Sequence, residues 1–280
     1  MNATVSTTAI HWRFMPAARI DPWHAFLIAV LFCASAESAQ NLSAAEAQSS
    51  GELPVQETLQ YNIEWRLIDA GKAKLSWNAG ATLVRAGGQI DLHLETAGLV
   101  SKLYRVIDDY RVILGAGLCA IDQHISVREG SRKRDTLVHF DAQAKKISYL
   151  EQDLVKKAVA LAKEIPDTPA CMHDVIGGLY FIRTRNLEPG HSIDVPVSDG
   201  KKLAFAKIEA QRREEIKVPA GTFKTVRYEA YLFNDVLYHR PGHMYVWLTD
   251  DRRKIPVRIQ VKLHFTIGTI TFQLEKQQRT

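Results

Sequence analysis

The sequence predicts a mainly β protein: a large antiparallel sheet, strongly curved or forming an open barrel, with one packed helix, and with a two-sheet sandwich as the alternative. Three observations predict it. Apolar and polar residues alternate with period two over most of the chain from Tyr61 onward. Turn signals recur at roughly eight to twelve residues, the spacing of hairpins and not of βαβ units. Only HDVIGGLYFIRTRNLEPG combines apolar residues at helical spacing with a good capping residue in front.

The N-terminal segment is read apart from the fold. His11, Arg13 and Arg19 precede the apolar run AFLIAVLFCA, and Ala34-Ser35-Ala36 offers a small-residue cleavage site before Glu37. Residues 1–36 therefore read as a secretory signal peptide. A run of about ten apolar residues is too short for a hydrocarbon layer of about 30 Å. Residues 37–56, dominated by Ser, Ala, Gln and Glu, read as a flexible lead-in. Residues 57–280 then form a single β-rich domain with no transmembrane segment.

Within that domain, YNIEWRLI puts Tyr61, Ile63, Trp65 and Leu67 on one face, with a turn expected at Gly71. KAKLSWNA continues the alternation through Ala73, Leu75 and Trp77, and QIDLHLETA places Ile90, Leu92 and Leu94 inward. LYRVIDDYRVIL reads as a long strand, open to a break near Asp108 and Asp109. IDQHISVRE and KRDTLVHFDAQAKKISYLEQD hold three more strands, with a compact turn from Asp141 to Lys146. In LVKKAVALAKEIP, Leu154, Ala158, Leu161 and Ile165 share a helical face and strict alternation fails at Lys156-Lys157. This segment reads as a short surface helix in preference to an edge strand, ended by Pro166 and Pro169.

The main helix follows, with Val175, Leu179 and Ile182 at helical spacing and Asp174 as N-cap. Gly177 and Gly178 weaken its interior by about 1 kcal/mol each relative to Ala, or let it press closely onto the sheet. After Pro189-Gly190 the strands resume, from HSIDVPVSDG to TIGTITFQLEK, with Pro196 and Pro219 near strand ends where a missing donor is tolerated. The turn spacing gives about twelve to fourteen strands in all.

Composition excludes more chemistry than it supplies. The formal net charge is +5, with basic residues scattered among acids, unlike a nucleic-acid platform. No nucleotide-binding glycine loop, G-x-S-x-G, HExxH or clustered Cys-His zinc pattern is present, so no cofactor, metal or catalytic residue is assigned. His239 and His243 flank Pro241-Gly242 and read as turn histidines facing water. Glu64, Asp91, Glu95, Asp108 and Asp109 offer carboxylates, but a glycosidase needs two at a defined separation. In an oxidising compartment Cys119 and Cys171 read as a disulfide worth about 2–4 kcal/mol, the alternative being two buried thiols. Cys171, His173 and Asp174 do not by spacing alone arrange a nucleophilic triad.

WLTDDRRKIPVRI, residues 247–259, concentrates charge between two apolar strands. Asp250 and Asp251 can accept turn N–H groups, Arg252 and Arg253 can pair with them, and Pro256 suits an early strand position. Trp247 reads as a large anchor on an inner face. The segment is read as a rigid structural corner; Asp250, Asp251, Arg252 and Arg253 as a ligand rim is the second reading.

Taken in order, YNIEWRLIDAGKAKL, HDVIGGLYFIRTRNLEPG, VPAGTFKTVR, WLTDDRRKIPVRI and GTITFQLEK resemble the DUF3108 family of exported bacterial proteins. The likeness spans Tyr61 to Leu274 and implies an exported β-rich protein of unknown function, with no site residues to carry over. The expectation is a noncatalytic protein of the periplasm or cell envelope that binds a lipid, glycan or protein partner on a concave sheet. An envelope hydrolase acting on a glycan or ester, and an assembly factor without a small ligand, are the alternatives.

Overall fold

Fourteen antiparallel strands form one continuous sheet in the computed structural model, which describes residues 51–79, 87–263 and 268–280. The expected signal peptide and most of the lead-in lie outside the described residues. Residues 51–55 are tied to the domain, since Glu52 N donates to Arg252 O at 3.0 Å and Trp77 Nε1 to Pro54 O at 2.9 Å.

The first arm runs through β1 (Gln56–Trp65), β2 (Ile68–Asn78), β3 (Gly88–Thr96), β4 (Val106–Leu114), β5 (Ala120–Glu129), β6 (Arg132–Asp141), β7 (Lys146–Asp153) and β8 (Ala158–Ile165). A six-residue helix α1 (Gly98–Leu103) joins β3 to β4. Helix α2 (Val175–Arg183) follows β8. The second arm is β9 (Ser192–Ser198), β10 (Leu203–Val218), β11 (Gly221–Ala230), β12 (Gly242–Thr249), β13 (Pro256–Leu263) and β14 (Thr269–Arg279). Every strand pairs with its chain neighbour except at one step. β8 and β9 are the two free edges, and β1 pairs with β14 in the middle of the sheet.

The sheet is curved but not closed into a barrel, so the sandwich alternative does not hold. The two arms meet without pairing. The β9–β10 turn lies on β6 and β7, where a Cβ on Gly200 would fall 2.7 Å from Tyr149 and 2.8 Å from Val138. Gly200 has φ +85° there, so glycine serves both the turn and the close approach. Buried residues form two clusters, one around Leu59, Trp77, Ile90, Leu114 and Tyr180, the other around Val195, Ile208, Tyr228 and Leu248. Residues of α2 belong to both.

Three local expectations are corrected. LVKKAVALAKEIP is not a helix: Asp153 Oδ1 accepts from Val155 N and Lys156 N, Lys157 turns at φ 53°, and β8 leaves as an edge strand. β8 is exposed on both faces along most of its length, so no buried side enforced the period-two pattern. The first turn is at Arg66-Leu67, both with positive φ, which leaves Leu67 94% exposed instead of inward. Gly71 sits inside β2 at a bulge, where a Cβ would fall 2.1 Å from Glu95 O. Finally, β4 runs unbroken through Asp108, whose carboxylate is buried and accepts from Arg128 N at 2.9 Å.

Helix α2 starts where expected. Asp174 accepts from Ile176 N at 2.8 Å and Gly177 N at 2.9 Å. Gly177 is fixed by this cap: a Cβ there would lie 2.5 Å from Asp174 Oδ1 and 3.1 Å from a methyl of Leu114. Burial pushes the Asp174 carboxyl up to about 6 against those hydrogen bonds. A folded pKa raised above the unfolded value stabilises fully below about pH 4, and this contribution is lost as pH rises through about 6. At about 1.4 kcal/mol per pH unit the loss amounts to about 3 kcal/mol. Asp174→Asn keeps an acceptor without the titration. Urea unfolding at pH 4 and pH 8 should show the variant gaining on wild type by that order at the higher pH; an identical pH dependence in both would refute the assignment.

Candidate ligand-binding site

The position of α2 defines the interior of the curved sheet, and three devices hold it there. The first is the Cys119–Cys171 disulfide, with Cα atoms 5.0 Å apart, as the sequence leads one to expect. It joins the start of β5 to the segment entering α2. That segment is also hydrogen-bonded to both arms: Ala120 N donates to Met172 O at 2.7 Å, His173 N to Pro196 O at 3.0 Å, and Ser198 N to His173 O at 2.9 Å. Cys171 is thus consumed in a bridge, His173 donates from Nδ1 to Leu118 O at 2.9 Å, and Asp174 caps the helix. The three are structural. Replacing both cysteines by serine should cost about 2–4 kcal/mol in denaturant unfolding. Oxidised wild type should take up no alkylating reagent at these positions before reduction.

The second device is Arg183, fully buried at the last turn of α2. Its Nη1 donates to Glu57 Oε2 at 2.6 Å and Nη2 to Glu57 Oε1 at 2.9 Å, while Nε donates to Lys254 O at 3.0 Å. The guanidinium also lies 4.8 Å from the centre of the Tyr180 ring. Sequence reasoning did not single out Arg183 or Glu57. A basic residue at a helix C-terminus and an acid opening a strand carry no signal of pairing across more than a hundred residues.

The third is the TDDRR corner, whose carbonyls Arg183 uses. Asp251 Oδ1 accepts from Arg253 N at 3.0 Å, Lys254 N at 3.2 Å and Thr249 Oγ1 at 2.8 Å. Burial would raise this carboxyl, yet the hydrogen bonds from Arg253 and Thr249 hold it below its ordinary value. Asp250 does not cap the turn: it pairs sideways with Arg213 Nε at 2.9 Å. Arg253 folds back on Asp251, with Nη2 at 2.6 Å, and the Arg252 side chain is exposed. Pro256 opens β13, and its carbonyl accepts from Tyr61 Oη at 2.7 Å. Trp247 is buried in the same core cluster as Tyr180 of α2, while its neighbours Val246 and Leu248 belong to the second cluster. Asp251→Ala should therefore cost about 1–2 kcal/mol through orphaned turn donors. Asp250→Ala should cost at most about 1 kcal/mol, as for an exposed ion pair. Thermal melts of the two variants decide the ranking.

Beside α2 lies a cavity of about 320 Å³. Its walls come from Tyr61, Ala73, Leu75 and Leu92 on one arm, Met244, Ile259, Val261 and Phe272 on the other, Val175, Ile176 and Leu179 of α2, and Leu232, Phe233 and Tyr238 of the β11–β12 connection. A smaller hollow of about 50 Å³ shares Val175, Leu179, Leu232 and Met244 with it. Among the described residues no carboxylate or imidazole lines either one. Asp250, Asp251, Arg252 and Arg253 line neither.

The acids singled out from sequence lie elsewhere. Asp91 pairs with Arg111 at 2.7 Å and Asp109 with His93 at 2.7 Å, in a polar hollow on the other face of β2–β5. Glu64 accepts from Gln273 Nε2 at 2.6 Å, and Glu95 lies 3.9 Å from His93. His239 pairs with exposed Asp235 and His243 with Glu229. Among the described residues no group of three or more His, Cys, Asp or Glu side chains is placed to hold a metal ion, and no helix is long and apolar enough to cross a membrane.

Comparison with known proteins places this geometry. The crystal structure of a β-barrel-like protein of the domain of unknown function DUF1849 from Brucella abortus is similar, with a TM-score of 0.54 at 8% identity, over 82% of this chain and 99% of that one. A protein from Bacteroides fragilis described as exported, with a YmcC-like fold, matches with a TM-score of 0.36 at 11% identity, over 82% and 100%. A Parabacteroides distasonis protein described as a lipoprotein matches with a TM-score of 0.37 at 10% identity, over 82% and 99%. No curated protein matches the sequence significantly. The first of these likenesses speaks to the fold alone. The description "protein of unknown function (DUF3108)" matches residues 60–275, and the chain belongs to that family.

Proposed function

We propose that the protein is a noncatalytic component of the bacterial cell envelope that binds the hydrocarbon part of a lipid between α2 and the sheet. The observation that carries this reading is the 320 Å³ cavity with apolar walls, within the size of small-ligand sites. Several of its lining side chains, among them Leu92, Leu179, Met244, Ile259 and Phe272, are only half-buried, so apolar surface faces the cavity, while Tyr61, Ala73, Leu75 and Leu232 are buried behind it. Export is supported by the N-terminal sequence and by the disulfide, which an oxidising compartment maintains. The wholly apolar set of described residues in the cavity wall, apart from the Tyr61 and Tyr238 hydroxyls, favours binding over the hydrolase alternative.

Mass spectrometry of the protein isolated from its own envelope should reveal a stoichiometric lipid released by denaturation. Leu179→Trp, which fills the cavity from the helix side, should reduce that lipid to background while leaving the circular dichroism unchanged. Equal lipid on wild type and variant would place the lipid elsewhere and overturn the proposal.

A further inference from the structure

A second hollow, of about 750 Å³, lies against the apolar cavity, and the two share Phe233 and Tyr238 as common wall. The polar lining of this outer hollow is mainly cationic, with Lys163 from β8, Lys201 and Lys202 from the β9–β10 turn and Arg240 from the β11–β12 connection set beside Asp199 and His239. These segments are far apart in sequence and are brought together because the two arms of the sheet curl toward each other.

The local hydrogen bonds leave those cations in excess of the one carboxylate, Asp199, that lines the hollow with them. Lys163 Nζ donates to Lys201 O at 2.6 Å and Lys202 Nζ to Asp235 O at 2.5 Å, so carbonyls orient the ammonium groups without neutralising them. The Asp199 carboxylate is turned onto the backbone, accepting from Lys201 N at 2.9 Å and Lys202 N at 2.8 Å. Asp235 is taken by His239 at 2.6 Å. Lys201 Nζ stands 5.6 Å from the centre of the Tyr149 ring. Among the described residues none of the four cations has a carboxylate ion pair, whereas Lys72, Lys146 and Arg213 elsewhere do.

A cationic hollow bordering an apolar chamber across Phe233 and Tyr238 matches one ligand chemistry. Resting on the lipid-binding reading above, we infer that the protein takes a single-chain anionic amphiphile, with its carboxylate or phosphate head at Lys163, Lys201, Lys202 and Arg240 and its chain beyond Phe233 and Tyr238. Ammonium and guanidinium groups recognise such heads by charge-assisted hydrogen bonds. The chamber has about ten times the roughly 30 Å³ that one water occupies in the liquid, which suits one medium-length chain and not a diacyl lipid.

The test uses the disulfide-bonded exported chain and three probes of equal length, each below its micelle concentration: dodecanoate, dodecyl phosphate and dodecanol. Calorimetric titration should show at least one anion binding tenfold or more tighter than dodecanol. Which anion wins assigns the head as carboxylate or phosphate. Lys201→Gln/Arg240→Gln, at two exposed positions, should cut that preference to under about threefold while leaving dodecanol binding unchanged. Raising the salt concentration on wild type should weaken the anions selectively, a readout that does not depend on the variant. Dodecanol binding as tightly as both anions, or the double variant weakening all three alike, overturns the head-group site and leaves the apolar cavity standing. If none of the three binds, or Leu179→Trp leaves all three unaffected, the lipid-binding reading fails and this inference with it.

Discussion

Arg183→Met is expected to destabilise the domain by about 3–5 kcal/mol, because Glu57 would keep a buried charge with most of its compensation gone. Arg279 Nε lies 3.1 Å from Glu57 Oε1 and retains part of the pairing. The carbonyls of Arg253 and Lys254 accept from Arg183 and would lose that donor. The double variant Glu57→Gln/Arg183→Met should recover part of the loss, since removing both charges avoids the uncompensated carboxylate. Urea unfolding of the single and double variants measures this coupling directly. A single-variant loss under about 1 kcal/mol would show that the pair does not anchor α2.

Trp247→Ala should cost about 3–5 kcal/mol, the range for removing a large buried aromatic. The ring is 7% exposed, and Arg258 stands over it with its guanidinium 5.6 Å from the ring centre. Its Nε1 donates to Glu214 Oε1 at 2.8 Å, tying β12 to β10 across β11. Trp247→Phe preserves most of the apolar area and should cost clearly less, isolating the indole hydrogen bond. Melting temperatures of both variants, read beside Asp250→Ala, separate loss of packing from loss of surface charge. An alanine variant within about 1 kcal/mol of wild type would mean that the neighbouring side chains refill the space.

The sheet, its strand number and α2 were legible because each leaves a local pattern. Ala73, Leu75 and Trp77 alternate against a buried face, and Asp174 caps a helix whose contacts lie within three residues. Cys119 and Cys171 were legible for a chemical reason, the compartment. What escaped was non-local. β8 has no buried side to imprint a period, and Arg66-Leu67 make their turn without glycine. The cavity escaped most completely: Leu92, Leu179 and Phe272 look like ordinary core residues, and only the curvature of the sheet leaves a space between them.

The pairing of β1 with β14 gives the fold an order of assembly. Each neighbouring pair of strands joined by a short turn can form without waiting for the rest of the chain. The central seam cannot. Tyr61 waits for Leu274 and Ile63 for Phe272, so the first strand keeps one edge unsatisfied until the last has formed. Closing a loop of that length adds an entropic cost that grows only slowly with chain length, but it comes late and all at once. Until then the exposed edge of β1 is a place where another chain can pair. A chain truncated before β14 would lose the seam that joins its two arms, and with it the chamber they enclose.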